Sequence, residues 1–141
     1  MATTHATITL ASTDITDNNL SISNTATLTT AGTDTGITET TGLARVKTSS
    51  GSNTILLDFG LTSGVAADVT ADKSAKVYIK NINDRGDGTK YVDILIKTRE
   101  IGRLYGGDWM FFPWSGGSGE DIEYTASDTT ETTLEYVVFY E

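Results

Sequence analysis

Ala75 to Thr98 reads AKVYIKNI-NDRGDGT-KYVDILIKT, two runs of strand-forming residues around a cluster of Asn, Asp, Gly and Thr. Such a cluster between extended runs predicts a hairpin, with Ala75–Ile82 and Lys90–Thr98 as its strands and 83–89 as its turn. In Tyr91–Ile96 (YVDILI), and again in Leu134–Tyr140 (LEYVVFY), apolar residues occupy both parities of the strand. These strands are therefore expected to be covered on two sides, one by the core and the other by a subunit partner.

Outward from this stretch the chain stays extended. Ile8 and Leu10 alternate with Thr7 and Thr9 in ATITLA, and Leu20–Thr29 repeats the period of two, which predicts two antiparallel, half-buried strands. The segment 30–42 reads as a long loop or an edge element. Leu43–Thr48 and Thr54–Phe59 flank Ser49-Ser50-Gly51-Ser52-Asn53 and predict a second hairpin. For 60–74, Val65, Ala66, Ala67 and Val69 fit either a short helical turn or a weak strand. Ile101–Leu104 and Trp109–Trp114 bracket Gly106-Gly107-Asp108, a tight turn into an aromatic strand whose Pro113 suits a strand end or sheet edge. Asp121–Ala126 adds a further strand. About nine or ten short strands with no fixed-period repeat predict an all-β fold, an antiparallel β-sandwich or jelly roll in a single domain over 1–141, with 1–30 as an arm or as edge strands.

Composition narrows the function. Nineteen acidic against ten basic residues leave a net charge of −9, which repels phosphate backbones and anionic membranes. Lys73, Lys76, Lys80, Lys90 and Lys97 are scattered singly, so nucleic acid is not an expected partner. There is no cysteine, hence no disulfide, thiolate metal site or cysteine nucleophile. Neither a signal-like apolar segment nor a membrane-spanning run is expected.

No catalytic constellation is legible. The single histidine, His5, lies near a terminus expected to fray, which leaves a Ser-His-Asp arrangement and a zinc site without their imidazoles. Glu120, Asp121 and Glu123 follow a Gly-Ser loop and offer carboxylates of the kind glycosidases pair, but adjacent strand residues point to opposite faces, so a solvated acidic face is the reading adopted. Asp84 and Asp87 could offer oxygens to calcium, yet their spacing departs from the EF-hand order and reads as a turn. Arg85-Gly86-Asp87 is an adhesion tripeptide that also arises readily in such a turn. Asn19-Leu20-Ser21 has the N-glycosylation pattern, and no phosphate-binding glycine loop is present. We expect no enzyme, no cofactor and no metal.

The aromatic cluster Tyr105, Trp109, Phe111, Phe112 and Trp114 remains. On a strand, Trp109, Phe111 and Pro113 share one face while Met110, Phe112 and Trp114 share the other; one face fills the core and the surplus rings call for association.

Val77–Asn81 (VYIKN), Tyr91–Ile96 (YVDILI), Ile101–Trp114 (IGRLYGGDWMFFPW) and the closing Leu134–Glu141 (LEYVVFYE) together resemble small accessory structural proteins of tailed bacteriophage virions. The resemblance covers about the last half of the chain and carries over no catalytic residue. It implies a decoration or cement protein on the capsid surface, a homo-oligomer, trimeric by preference, that binds the major capsid protein or another virion protein at subunit junctions. Trp109, Phe111, Trp114, Val137 and Phe139 are the expected interface or core anchors. The alternating N-terminal strands suit an arm that adds strands to a neighbour's sheet edge. The competing expectation is a carbohydrate-binding sandwich of a receptor-binding or adhesin protein, with Tyr105, Trp109 or Trp114 as the stacking platform.

Overall fold

A computed structural model describes residues 3–13, 20–29, 39–48, 53–58, 65–66, 75–86, 90–114, 119–127 and 131–140. The chain is all-β and divides into two compact units, Met1–Thr38 and Glu39–Glu141.

The first unit contains a two-stranded antiparallel ribbon, β1 (Thr3–Ser12) and β2 (Leu20–Thr29), paired in one unbroken register from Thr3↔Thr29 to Ser12↔Leu20. Period-two alternation puts Ile8, Leu10, Ile22 and Leu20 on one side of the ribbon and hydroxyl residues on the other. His5 sits within β1 opposite Thr27 rather than in a frayed tail.

The second unit is a β-sandwich of ten strands in two five-stranded sheets. Sheet I holds β10 (Trp109–Trp114), β7 (Ala75–Asn81) and β12 (Thr132–Tyr140) in that order; the free side of β12 pairs with β3 (Glu39–Thr40) at one end and β4 (Ala44–Thr48) at the other. Gly42, at φ 70°, lies between β3 and β4, where Thr41 bonds Val138 through both its backbone N–H and its hydroxyl. Sheet II runs β6 (Val65–Ala66), β5 (Thr54–Asp58), β11 (Ile122–Ala126), β8 (Tyr91–Ile96), β9 (Arg99–Tyr105). All pairs are antiparallel except the short β5–β6 pair, which settles 65–66 as strand.

Alternating residues of both sheets meet in one core. Val77 and Ile79 of β7, Leu134, Tyr136 and Val138 of β12 and Trp114 of β10 pack with Leu56, Leu57, Val92, Ile94, Leu104, Ile122 and Tyr124 of sheet II. Each large side chain removed from water there contributes roughly 1.5–3 kcal/mol, which offsets the ordering of nearly every strand.

Two predicted hairpins do not form. β7 lies in sheet I and β8 in sheet II, so the two do not pair as a hairpin. Likewise β4 and β5 belong to different sheets and do not pair. A turn-like composition between two strands does not choose their hydrogen-bonding partners. The tight hairpin of the sandwich is β8–β9, closed by Lys97 and Thr98 between Ile96 and Arg99. Both residues have positive φ (51° and 64°), as two-residue hairpin loops demand. Lys97 and Thr98 therefore end the strand that the sequence pattern extends through them.

Asn81 stitches the sheets together at one corner. Fully buried at the end of β7, it donates from Nδ2 to the Leu104 carbonyl of β9 (3.0 Å), while its Oδ1 accepts from the Asn83 backbone N–H (3.1 Å) and side chain (2.6 Å). Its backbone also bonds Asp108 and Gly107 in the β9–β10 turn. Gly106 completes the corner: a Cβ there would collide with the carbonyls of Asn83 and Asp84, so only glycine fits.

Candidate functional site

The register of sheet I builds its outer face in rows. Trp109 lies opposite Lys80, which lies opposite Glu135, which lies opposite Arg45. The next row is Phe111, Tyr78 and Val137, and the third is Pro113, Lys76, Phe139 and Thr40. Residues directly opposite on an antiparallel pair share a face, so the even positions of β7 and the odd positions of β10 and β12 form one surface.

The middle row of this surface is apolar and aromatic, Lys80 and Lys76 flank Tyr78 along β7, and further charges stand at the β4 margin. Trp109 is 51% exposed; Pro113 is exposed, and Phe111, Tyr78, Val137 and Phe139 are partly so. The Tyr78 and Trp109 rings are 6.4 Å apart and tilted by 35°. At the margin Arg45 donates from Nε and Nη2 to Glu135 (3.0 and 2.9 Å), and Lys47 pairs with Glu131 at 3.0 Å. Partial burial, helped by the Glu135 charge, pushes the Tyr78 phenol above its ordinary value. Three rows across three strands span about 300 Å²; six of the nine positions are apolar or aromatic, and Lys76, Lys80 and Glu135 are charged.

Trp114 stands apart from the other expected anchors. It is 4% exposed and belongs to the core, with Met110 and Phe112 packed beside it, and its Nε1 donates to the Glu120 carbonyl at 2.8 Å. It is a core anchor, while Trp109, Phe111, Val137 and Phe139 share the outer face. Sequence reasoning missed Tyr78, Lys76 and Lys80, which lie between them on β7. Their alternation with Val77 and Ile79 marked them as facing outward, but only the strand order places them between the aromatic strand and the C-terminal one.

Tyr105, the remaining ring of the cluster, is on the outer face of sheet II. It packs edge-on against Tyr91 (5.7 Å), and the Arg103 guanidinium lies 3.8 Å over the Tyr91 ring while donating to both Asp93 oxygens (2.6 and 3.1 Å). The Asp93 hydrogen bond, with a further one to Tyr105, raises the Arg103 pKa beyond its already high ordinary value. Asn53 links Glu123 (3.2 Å) and Thr125 (2.7 Å) on the same sheet. Tyr105, Trp109 and Trp114 thus occupy two different outer faces and the core, and do not form one sugar-stacking platform.

The other candidates fall as follows. Glu123 is tied to Asn53, and Asp84 accepts the Gly86 N–H within its turn at 3.0 Å. Arg85 pairs with Asp108 at 3.4 Å; Asp87 and Asn19 lie outside the described residues. Among the described residues no group of three or more His, Asp or Glu side chains could hold a metal ion. An open hollow beside the β8–β9 turn is lined by Ile96, Lys97, Thr98, Arg99, Ile101 and Glu120, with neither a histidine nor a second carboxylate to pair with Glu120. Among the described residues no helix is long and apolar enough to cross a membrane. No protein-family model matches the chain, and no curated protein matches it either.

Proposed function

We propose that this chain is a non-enzymatic structural protein of a virion, a decoration or cement protein that lays the outer face of sheet I against the major capsid protein or a neighbouring shell protein. The observation that carries the reading is the row arrangement of Trp109, Phe111, Tyr78, Val137 and Phe139 on one exposed sheet. Exposed rings along adjacent strands, interleaved with Lys76, Lys80 and Glu135, combine the aromatic anchors and polar neighbours of a protein interface. Occupancy would stabilise the assembled shell by mass action, because the composite surface exists only there. The likeness of the C-terminal half to phage accessory proteins supplies the virion setting.

The test is binding of the purified protein to shells that lack it. Phe111→Asp, which puts an unpaired charge at the patch centre, is expected to weaken binding by at least tenfold with unfolding unchanged within about 1 kcal/mol. Shell binding equal to wild type would refute the proposal. A second reading, glycan binding by stacking, is favoured by the exposure of Trp109 beside Tyr78. Sugar-dependent quenching of tryptophan fluorescence that disappears in Trp109→Phe would select it.

A further inference from the structure

The β1–β2 ribbon carries features that a lone two-stranded sheet does not sustain. Isolated ribbons are marginal in water, yet this one keeps ten paired positions with no register shift. One face carries Ala6, Ile8, Leu10, Leu20 and Ile22, together with Asn24 opposite Ile8 and Ser12 opposite Leu20, and Leu10, Ile22 and Leu20 are between 39% and 52% exposed. The other carries Thr7, Thr9, Ser21, Ser23 and Thr25, with Thr7 and Thr25 hydrogen-bonded through their hydroxyls at 3.0 Å. None of the twenty strand residues is Asp, Glu, Lys, Arg or Pro, in a chain with 29 charged residues. Sheet edges are ordinarily blunted by charge, proline or a bulge. Here both edges lack every one of these devices.

We infer that the ribbon is a self-assembly element: copies of this chain join their ribbons edge to edge into a closed β-barrel, apolar face inward and hydroxyl face outward. A second copy is the occupant because the ribbon is neutral, so two molecules of net charge −9 approach there without repulsion. Stacking two apolar faces is not enough, since each offers only about 300 Å², well below the roughly 800 Å² per partner of a stable interface. Closing a ring covers the face and satisfies both backbone edges in one step. Two ribbons supply four strands, fewer than the five of the smallest common barrels. Three supply six, so the ring needs at least three copies. This inference is independent of the sheet I surface and of any shell.

Cross-strand pairs allow a matched test on the full chain. Leu10→Glu/Ile22→Lys places an ion pair across the apolar face, and Thr9→Glu/Ser23→Lys places the same pair across the hydroxyl face. Light scattering of wild type is expected to give three or more copies, at least about 45 kDa from a 15.1 kDa chain. The apolar-face variant is expected to fall to a monomer and the hydroxyl-face variant to keep the wild-type mass. Both tryptophans lie in the sandwich, so an unchanged near-ultraviolet tryptophan signal shows that the sandwich is intact, and the hydroxyl-face variant controls for the effect of placing the same ion pair on the ribbon. A monomeric or dimeric wild type, or equal behaviour of the two variants, overturns the inference.

Discussion

Sheet I and sheet II each turn one face outward, and the two faces use aromatic residues in opposite ways. On sheet II the tyrosines are tied into a polar lattice: Arg103 covers Tyr91, Asp93 grips Arg103, and Asn53 joins Glu123 to Thr125. On sheet I the rings of Trp109, Phe111 and Phe139 lie along Tyr78 and Val137, and the Arg45–Glu135 and Lys47–Glu131 pairs stand at the β4 margin. A face whose polar groups bond one another is complete in water. A face of adjacent rings gains free energy only when something covers it.

The largest effect separates the two sides of one strand. Trp114→Ala opens a cavity in the core and is expected to cost about 3–5 kcal/mol, whereas Trp109→Ala, five residues earlier on the outer face, should cost under about 1 kcal/mol. Denaturant unfolding of both variants measures the difference; equal losses would mean that the outer face is not a surface at all. Smaller is the coupling within sheet II. A double-mutant cycle of Arg103→Ala and Asp93→Ala should give a small favourable coupling that shrinks in high salt. A coupling near zero would place sheet II on the same footing as sheet I.

The smallest effect is in alkali. Burial lifts the phenols of Tyr78 and Tyr136 above the ordinary tyrosine value near 10. Both are protonated in the fold at pH values where the unfolded chain has begun to ionise. Their contribution is therefore complete below pH 10 and is lost as pH rises through the folded values. Ultraviolet titration should show a late-ionising phenol component that is smaller in Tyr78→Phe.

These contrasts show what the amino-acid pattern could and could not convey. Alternation in Ala75–Asn81 and Thr132–Tyr140 reveals strands and their inward sides, because burial on one face leaves a period of two. The split of Trp109 and Phe111 from Trp114 follows from the same parity, and Pro113 does lie on the edge strand β10. Pairing was illegible. The Asn-Asp-Gly cluster at 83–89 and the Ser-Gly cluster at 49–53 look like hairpin turns, yet the strands that flank each lie in different sheets, while β8 and β9 pair around Lys97 and Thr98, residues without a turn signature. Tyr78 could not be assigned to the candidate surface until β7 was known to lie between β10 and β12. Asn81 gave no signal either, since its role depends on a carbonyl of another sheet.

The chain passes from one sheet to the other after β4, β6, β7, β9, β10 and β11. Most of its hydrogen-bonded neighbours are consequently distant along the polypeptide, as β4 and β12 are. Closing those long loops costs entropy before any contact repays it, which puts folding on the order of milliseconds to seconds. The β8–β9 hairpin, whose partners are adjacent in sequence, is the natural nucleus. Until those distant pairings close, the apolar inner faces of the two sheets stand open to water.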